Sequence, residues 1–266
     1  MYCCETLFQL NKTIHVEWEK DQQWGNVMLV LPDEVDLKAL IHSFVMIYMT
    51  YRLGRKIKDV AKSTYFYTNE EELNHIYEST TAIFKDAYYQ TNIFPNKQTL
   101  YTFLFELFRS NLQYTDKIHF DALALFCMKP LDEYIVAAVG YGIDEMKREE
   151  AYQHFVASAR EFVLHRRVLT DEIHIVQNGV LQFFKADGTA YSKRELQQNM
   201  QKTPLYIIQL DEKEFDLAPA IALAPKKIHL YSDQPIEGKV YTLCRIFQER
   251  IQLHALHQFP FSLKVN

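Results

Sequence analysis

From residue 37 onward the apolar positions recur every three or four residues. Leu37, Leu40, Ile41, Phe44, Val45 and Tyr48 make one stripe, while Val35, Met46, Ile47 and Met49 fill other faces. A helix apolar on most sides belongs at the centre of a bundle. The next helix is predicted to start near Thr68, because Thr68-Asn69-Glu70-Glu71 has capping-box spacing and Leu73, Ile76, Tyr77, Thr80, Ile83, Phe84 and Ala87 follow as one stripe. Asn92 to Pro95 breaks it, and Leu100, Phe103, Leu104, Leu107 and Phe108 form another. A short helix near 118–128 should end at Lys129-Pro130. Two more are predicted from Leu131 to Met146 and from Tyr152 to Val163, the last finishing in His165-Arg166-Arg167, cations at the negative end of the helix dipole.

Beyond residue 170 the period changes. Ile173 and Ile175 alternate with polar neighbours, Asn178-Gly179 supplies hairpin chemistry, and Val180 to Lys185 returns, with Asp187-Gly188 as a second turn. Both Asn178 and Gly179 are expected to accept a positive φ. Ser192 to Gln201 reads as a helix, Leu205 to Leu210 as a strongly apolar strand, and Lys213 to Ala224 as an apolar helix stopped by Pro225. Ile228 to Tyr231 reads as a strand. Asp233 is placed to cap the next helix, with Pro235 in its first turn, and Ile251 to His254 closes the pattern as a strand. That order implies a small sheet with parallel neighbours joined by crossovers. Before residue 33, Leu7 to Leu10, Thr13 to Trp18 and Val27 to Leu31 look like short strands.

The expected fold is therefore α+β: a short β-rich N-terminal segment over 1–32, a helical domain over 33–168 and an α/β domain over 169–266. The chain has 266 residues, 48% of them hydrophobic, which suits packed cores and excludes disorder. The net charge of −5 argues against wholesale binding of nucleic acid, though not against a local patch. Cys3, Cys4, Cys127 and Cys244 form no CxxC pair, which reads as reduced thiols in a cytoplasmic protein. Met1-Tyr2-Cys3-Cys4-Glu5 does not open a secretory signal. The most apolar stretch, Ala39 to Tyr51, is well short of the ~20 residues a bilayer requires, so no membrane span is expected.

Several stretches resemble the YtxC-like sporulation proteins of endospore-forming bacteria. They are Leu131-Asp132-Glu133-Tyr134, Ala151 to Val156 through Glu161-Phe162-Val163, the hairpin from Glu172 to Val176, and Ala220-Ile221-Ala222-Leu223-Ala224-Pro225-Lys226-Lys227-Ile228-His229-Leu230. The last is the most specific, and the likeness runs from about residue 35 onward. Members often carry an arginine just before the Leu-x-x-Tyr run; Phe126-Cys127 stands there instead. The resemblance implies a part in spore formation and brings no catalytic residues with it.

Candidate chemistry is sparse. No nucleophile sits in a Gly-x-Ser-x-Gly frame, and Gly140-Tyr141-Gly142 falls inside a helical stripe rather than after a strand, so no catalytic residue, cofactor or metal is expected. His254-x-x-His257 lacks a third ligand at a recognisable spacing. Arg52, Arg55, Lys56, Lys58 and Lys62 form the densest basic run and are the candidates for phosphate or polyanion binding. Asp211, Ser232, Asp233 and His254 would lie at the carboxyl ends of strands, where sheets with parallel strands hold small ligands. The favoured reading is a non-enzymatic protein with a protein partner. Nucleic-acid or polyanion binding through the basic run, and a hydrolase or phosphotransferase at the strand ends, are the alternatives.

Overall fold

The computed structural model describes residues 36–112, 117–211, 215–234 and 238–261, and only the backbone at 15–19 and 26–30. The β-rich segment expected over 1–32 therefore lies for the most part outside the described residues. The chain divides into two compact units, 1–148 and 149–266.

The first unit is helical. Helix α1 (Leu37–Ile47) is capped by Asp36, whose carboxylate accepts from the amides of Lys38 and Ala39, and it leads through a wide turn at Tyr48–Arg52 into α2 (Leu53–Ser63). Helix α3 (Glu70–Ile83) begins one residue later than its capping-box pattern suggests. Asn69, not Thr68, accepts from the amides of Glu71 and Glu72, because the asparagine side chain reaches the free donors of the first turn. Then come α4 (Ala87–Ile93), α5 (Leu100–Asn111) with a Thr99–Thr102 capping box, and α6 (Phe120–Cys127). Leu40, Phe44, Ile57, Leu73, Ile76, Leu104, Phe108 and Leu131 are buried in one core, where Phe44 meets both Phe108 and Phe120.

The two helices expected between 131 and 163 are one, α7 (Asp132–His165). The polar interval 147–151 separates two apolar stripes but holds no breaker, and its Lys, Arg, Glu and Ala residues all favour helix. Arg148 pairs with Glu145, and Gln153 bonds Glu149 along the surface. Ile135, Ala138, Val139 and Ile143 join the first unit's core, and Val156, Ala159 and Val163 join the second's. Within the first unit, Gly142 lies directly against Thr80. A Cβ there would strike the Thr80 Oγ1 and approach its backbone N to 3.0 Å, so only glycine permits this approach of α7 to α3.

The second unit is built on a four-stranded mixed sheet in the order β2-β1-β3-β4. Strands β1 (Glu172–Asn178) and β2 (Val180–Lys185) are antiparallel, while β3 (Lys227–Tyr231) runs parallel to β1 and β4 (Ile251–His254) parallel to β3. The Asn178-Gly179 hairpin forms, but only Gly179 adopts a positive φ, of 75°. Helices α8 (Lys193–Gln201), α9 (Ala218–Leu223) and α10 (Gly238–Phe247) complete the unit. Ile173, Ile175, Ile228 and Leu230 face a core shared with Met200, Ile221, Leu243 and Phe247.

Two local expectations are corrected here. Leu205 to Leu210 is not a strand: Leu205–Ile208 is a single tight turn ending in left-handed Gln209. A short apolar run carries no reliable period, and Thr203-Pro204 before it favours a turn. Helix α9 is shorter than the expected span from Lys213 to Ala224, with Pro219 in its first turn, where its missing amide donor costs nothing. The Asp233 carboxylate accepts from the Leu256 amide at 3.0 Å; the first turn it is expected to cap, at 235–237, lies outside the described residues.

Candidate functional site

Strand alternation puts Ile173 and Ile175 on the core side of β1 and sends Glu172, His174 and Val176 to the other face. The parallel register aligns Glu172 with Lys227, His174 with His229 and Val176 with Tyr231, and β4 places His254 beside Tyr231. Glu172, three histidines and a tyrosine thereby meet on one face of the sheet.

Their polar atoms bond to one another. His229 Nε2 lies 2.7 Å from Glu172 Oε1, and His229 Nδ1 lies 2.9 Å from His254 Nε2. His174 Nδ1 meets the Tyr231 hydroxyl at 3.1 Å, and the His174 and His229 rings stack at 5.1 Å. Aromatic rings cover the inner end. Phe261 stands edge-on to His174 with centroids 5.3 Å apart, and Phe259 packs on Phe184 and Tyr231. Gly188, at φ 81°, leaves the room that the Phe261 ring fills. Burial pushes the His174 imidazole below its usual midpoint, while the Glu172 carboxylate pulls the other way. His229 is also lowered, by burial first and then by the Lys227 ammonium, again against Glu172. Burial raises the Tyr231 phenol. The described residues hold no group of three or more His, Cys, Asp or Glu side chains arranged to take a metal ion.

Of the residues singled out in the sequence, His254 belongs to this network and Ser232 and Asp233 lie beside it. The Ser232 amide donates to the His254 carbonyl at 3.0 Å, and its hydroxyl donates to Gln177. Asp211 follows the turn at 205–208 rather than a strand, so the strand-end position expected of it is not there. Glu172, His174, His229 and Tyr231 were missed. The patterns Glu-x-His at 172–174 and His-x-Tyr at 229–231, each on a predicted strand, were the available signal.

The basic run lies in the first unit. Lys56 pairs with Asp132 at 2.8 Å, Lys58 donates to Asn74 at 2.6 Å, and Lys62 pairs with Glu70 at 3.0 Å. Arg52 and Arg55 are exposed. Cys127 is buried, and burial pushes its thiol up to about 11; the Cys244 thiol is raised for the same reason. No described helix is long and apolar enough to cross a membrane.

Comparison with known proteins adds the lineage. An uncharacterized protein of Bacillus subtilis strain 168, YtxC, is 31% identical over 123 residues, covering 44% of this chain and 41% of that protein. The alignment thus spans less than half of the relative's length. No solved structure matches. The model of the YtxC-like family matches residues 38–252, which takes in all ten helices and four strands labelled above except the first residue of α1 and the last two of β4, and the chain belongs to that family.

Proposed function

We propose that this chain is a sporulation protein of endospore-forming bacteria that works without catalysis, through contact with another protein. Family membership supports the setting. The observation that carries the mode of action is the turn at 205–208. Leu205 and Ile208 point into the core, but Tyr206 and Ile207 between them are 78% and 61% exposed. Folding gives no reason for two adjacent large apolar side chains on the surface. Burying such a side chain is worth ~1.5–3 kcal/mol, which a partner would gain. The polyanion reading has less support, because Lys56, Lys58 and Lys62 already have partners within the unit. A ligand site around Ser232 and Asp233 has less support as well, since their side chains serve the local chain path.

The test is the double substitution Tyr206→Ser and Ile207→Ser in the sporulating organism, with a photo-crosslinking residue at 206 in parallel. The expected result is an unchanged thermal midpoint, a reduced spore yield and one reproducible crosslinked protein. A normal spore yield from the double variant, or no crosslink at 206, overturns the proposal.

A further inference from the structure

The histidine network reaches the last described segment through His174, which meets the Phe259 and Phe261 rings and stacks on His229, and its hydrogen bonding limits how many protons it can hold. His229 Nε2–H donates to Glu172, which leaves His229 Nδ1 to accept from His254 Nε2–H. One added proton is tolerated, because a single hydrogen still lies between the two rings. Two are not. With both rings charged, two N–H groups face each other across 2.9 Å and the bond is lost.

His254 ends β4, and the chain passes from it straight into 255–261. That segment is held to the sheet by the Leu256 amide on Asp233 and by Phe259 and Phe261 on Tyr231 and His174, while the Gln258 and Phe259 amides bond the carbonyls of Ala255 and Leu256 and close a turn within it. We infer that Glu172, His229 and His254 form an acid-sensitive latch that keeps the segment 255–261 closed over the outer face of the sheet and releases it when both imidazoles are charged. Release uncovers Val176, Phe184 and Tyr231, the small apolar cluster against which Leu256 and Phe259 pack.

The surrounding groups fit this behaviour. Glu172 from β1 favours a first proton; Lys227 from β3 and the neighbouring imidazoles disfavour more. Tyr231 from β3 and the Ala186 backbone after β2 face His174, and Asp233 after β3 holds Leu256. Burial of His174 and His229 penalises the charged rings in the closed form, so protons bind more readily once the segment lifts.

Amide hydrogen exchange of the full chain at about pH 7.5 and about pH 5, corrected for intrinsic rates, reads the latch. Protection at Leu256, Gln258 and Phe259 should fall by about tenfold or more at the lower pH, while the β1 amides hold. His254→Gln keeps a neutral hydrogen-bonding group and should flatten that fall. Glu172→Gln removes the carboxylate that stabilises the singly charged pair and should deepen it, which remains readable even if His254→Gln opens the segment at both pH values. Constant protection in the unaltered chain overturns the latch. So does a Glu172→Gln chain whose pH response equals that of the original.

Discussion

Gly142→Ala offers a demanding test of the helical unit, because two opposing effects can be set against each other. In a helix interior alanine is better than glycine by about 1 kcal/mol, so the exchange alone favours the variant. At Gly142 the new Cβ would meet the Thr80 Oγ1, the Thr80 amide nitrogen at 3.0 Å and its Cα at 3.1 Å. Two of these atoms are backbone of α3 and cannot rotate away. The helices must part, and overpacking of this kind costs about 1–3 kcal/mol. The steric cost wins, leaving a net loss of about 1 kcal/mol. Gly54→Ala is the control. Its Cβ would meet only the ring of Tyr77, at 3.0 Å, and that side chain is exposed and free to swing aside. Propensity should win there, with a gain of about 0.5 kcal/mol. Urea unfolding followed by far-ultraviolet circular dichroism measures both. A Gly142→Ala chain as stable as the original, or one shifted in the same direction as Gly54→Ala, would refute the contact between α7 and α3.

Three further outcomes are expected. Thr80 is fully buried and its hydroxyl has no hydrogen-bond partner, so Thr80→Val should raise stability by about 1 kcal/mol, seen as a higher urea midpoint. Asn69→Ala leaves the amides of Glu71 and Glu72 without their cap and should cost about 1 kcal/mol by the same measurement. The third concerns pH. His174 and His229 titrate below the ordinary 6.5 in the folded chain, so the unfolded chain binds more protons between that lowered midpoint and 6.5. Their contribution is full above about pH 6.5 and is lost as the pH falls from there. The urea midpoint of the sheet unit should therefore drop between about pH 7 and about pH 5, and less steeply in His174→Gln.

The sequence was most informative where period and turn chemistry agreed. Asn178-Gly179 marked the hairpin, Ser192 marked the start of α8, and Ile228 to Tyr231 stood out as a strand. It failed where a segment had composition but no period. Leu205 to Leu210 is apolar but for Gln209, and only the structure shows that Leu205 and Ile208 are inside and Tyr206 and Ile207 outside. The joined helix α7 was misread for the opposite reason, because a change of polarity was taken for an end although no breaker stood there. The histidine network illustrates a third limit. Alternation along β1 sorts Glu172 and His174 onto one face, but their meeting with His229 depends on the pairing of strands 55 residues apart, for which a single chain carries no local signal. His254 was picked out for its place at a strand end, whereas its structural partner is the His229 ring.

The acid-sensitive latch rests on the arrangement of Glu172, His174, His229 and His254 on one face of the sheet, with Phe261 against His174. Proton NMR of the imidazole rings addresses it most directly, by following the His174 and His229 resonances through a pH titration while recording contacts from the Phe261 ring. The arrangement predicts midpoints below 6.5 for both histidines and a cross-peak between the Phe261 and His174 rings. Two histidines titrating at 6.5, with no contact between those rings, would contradict it.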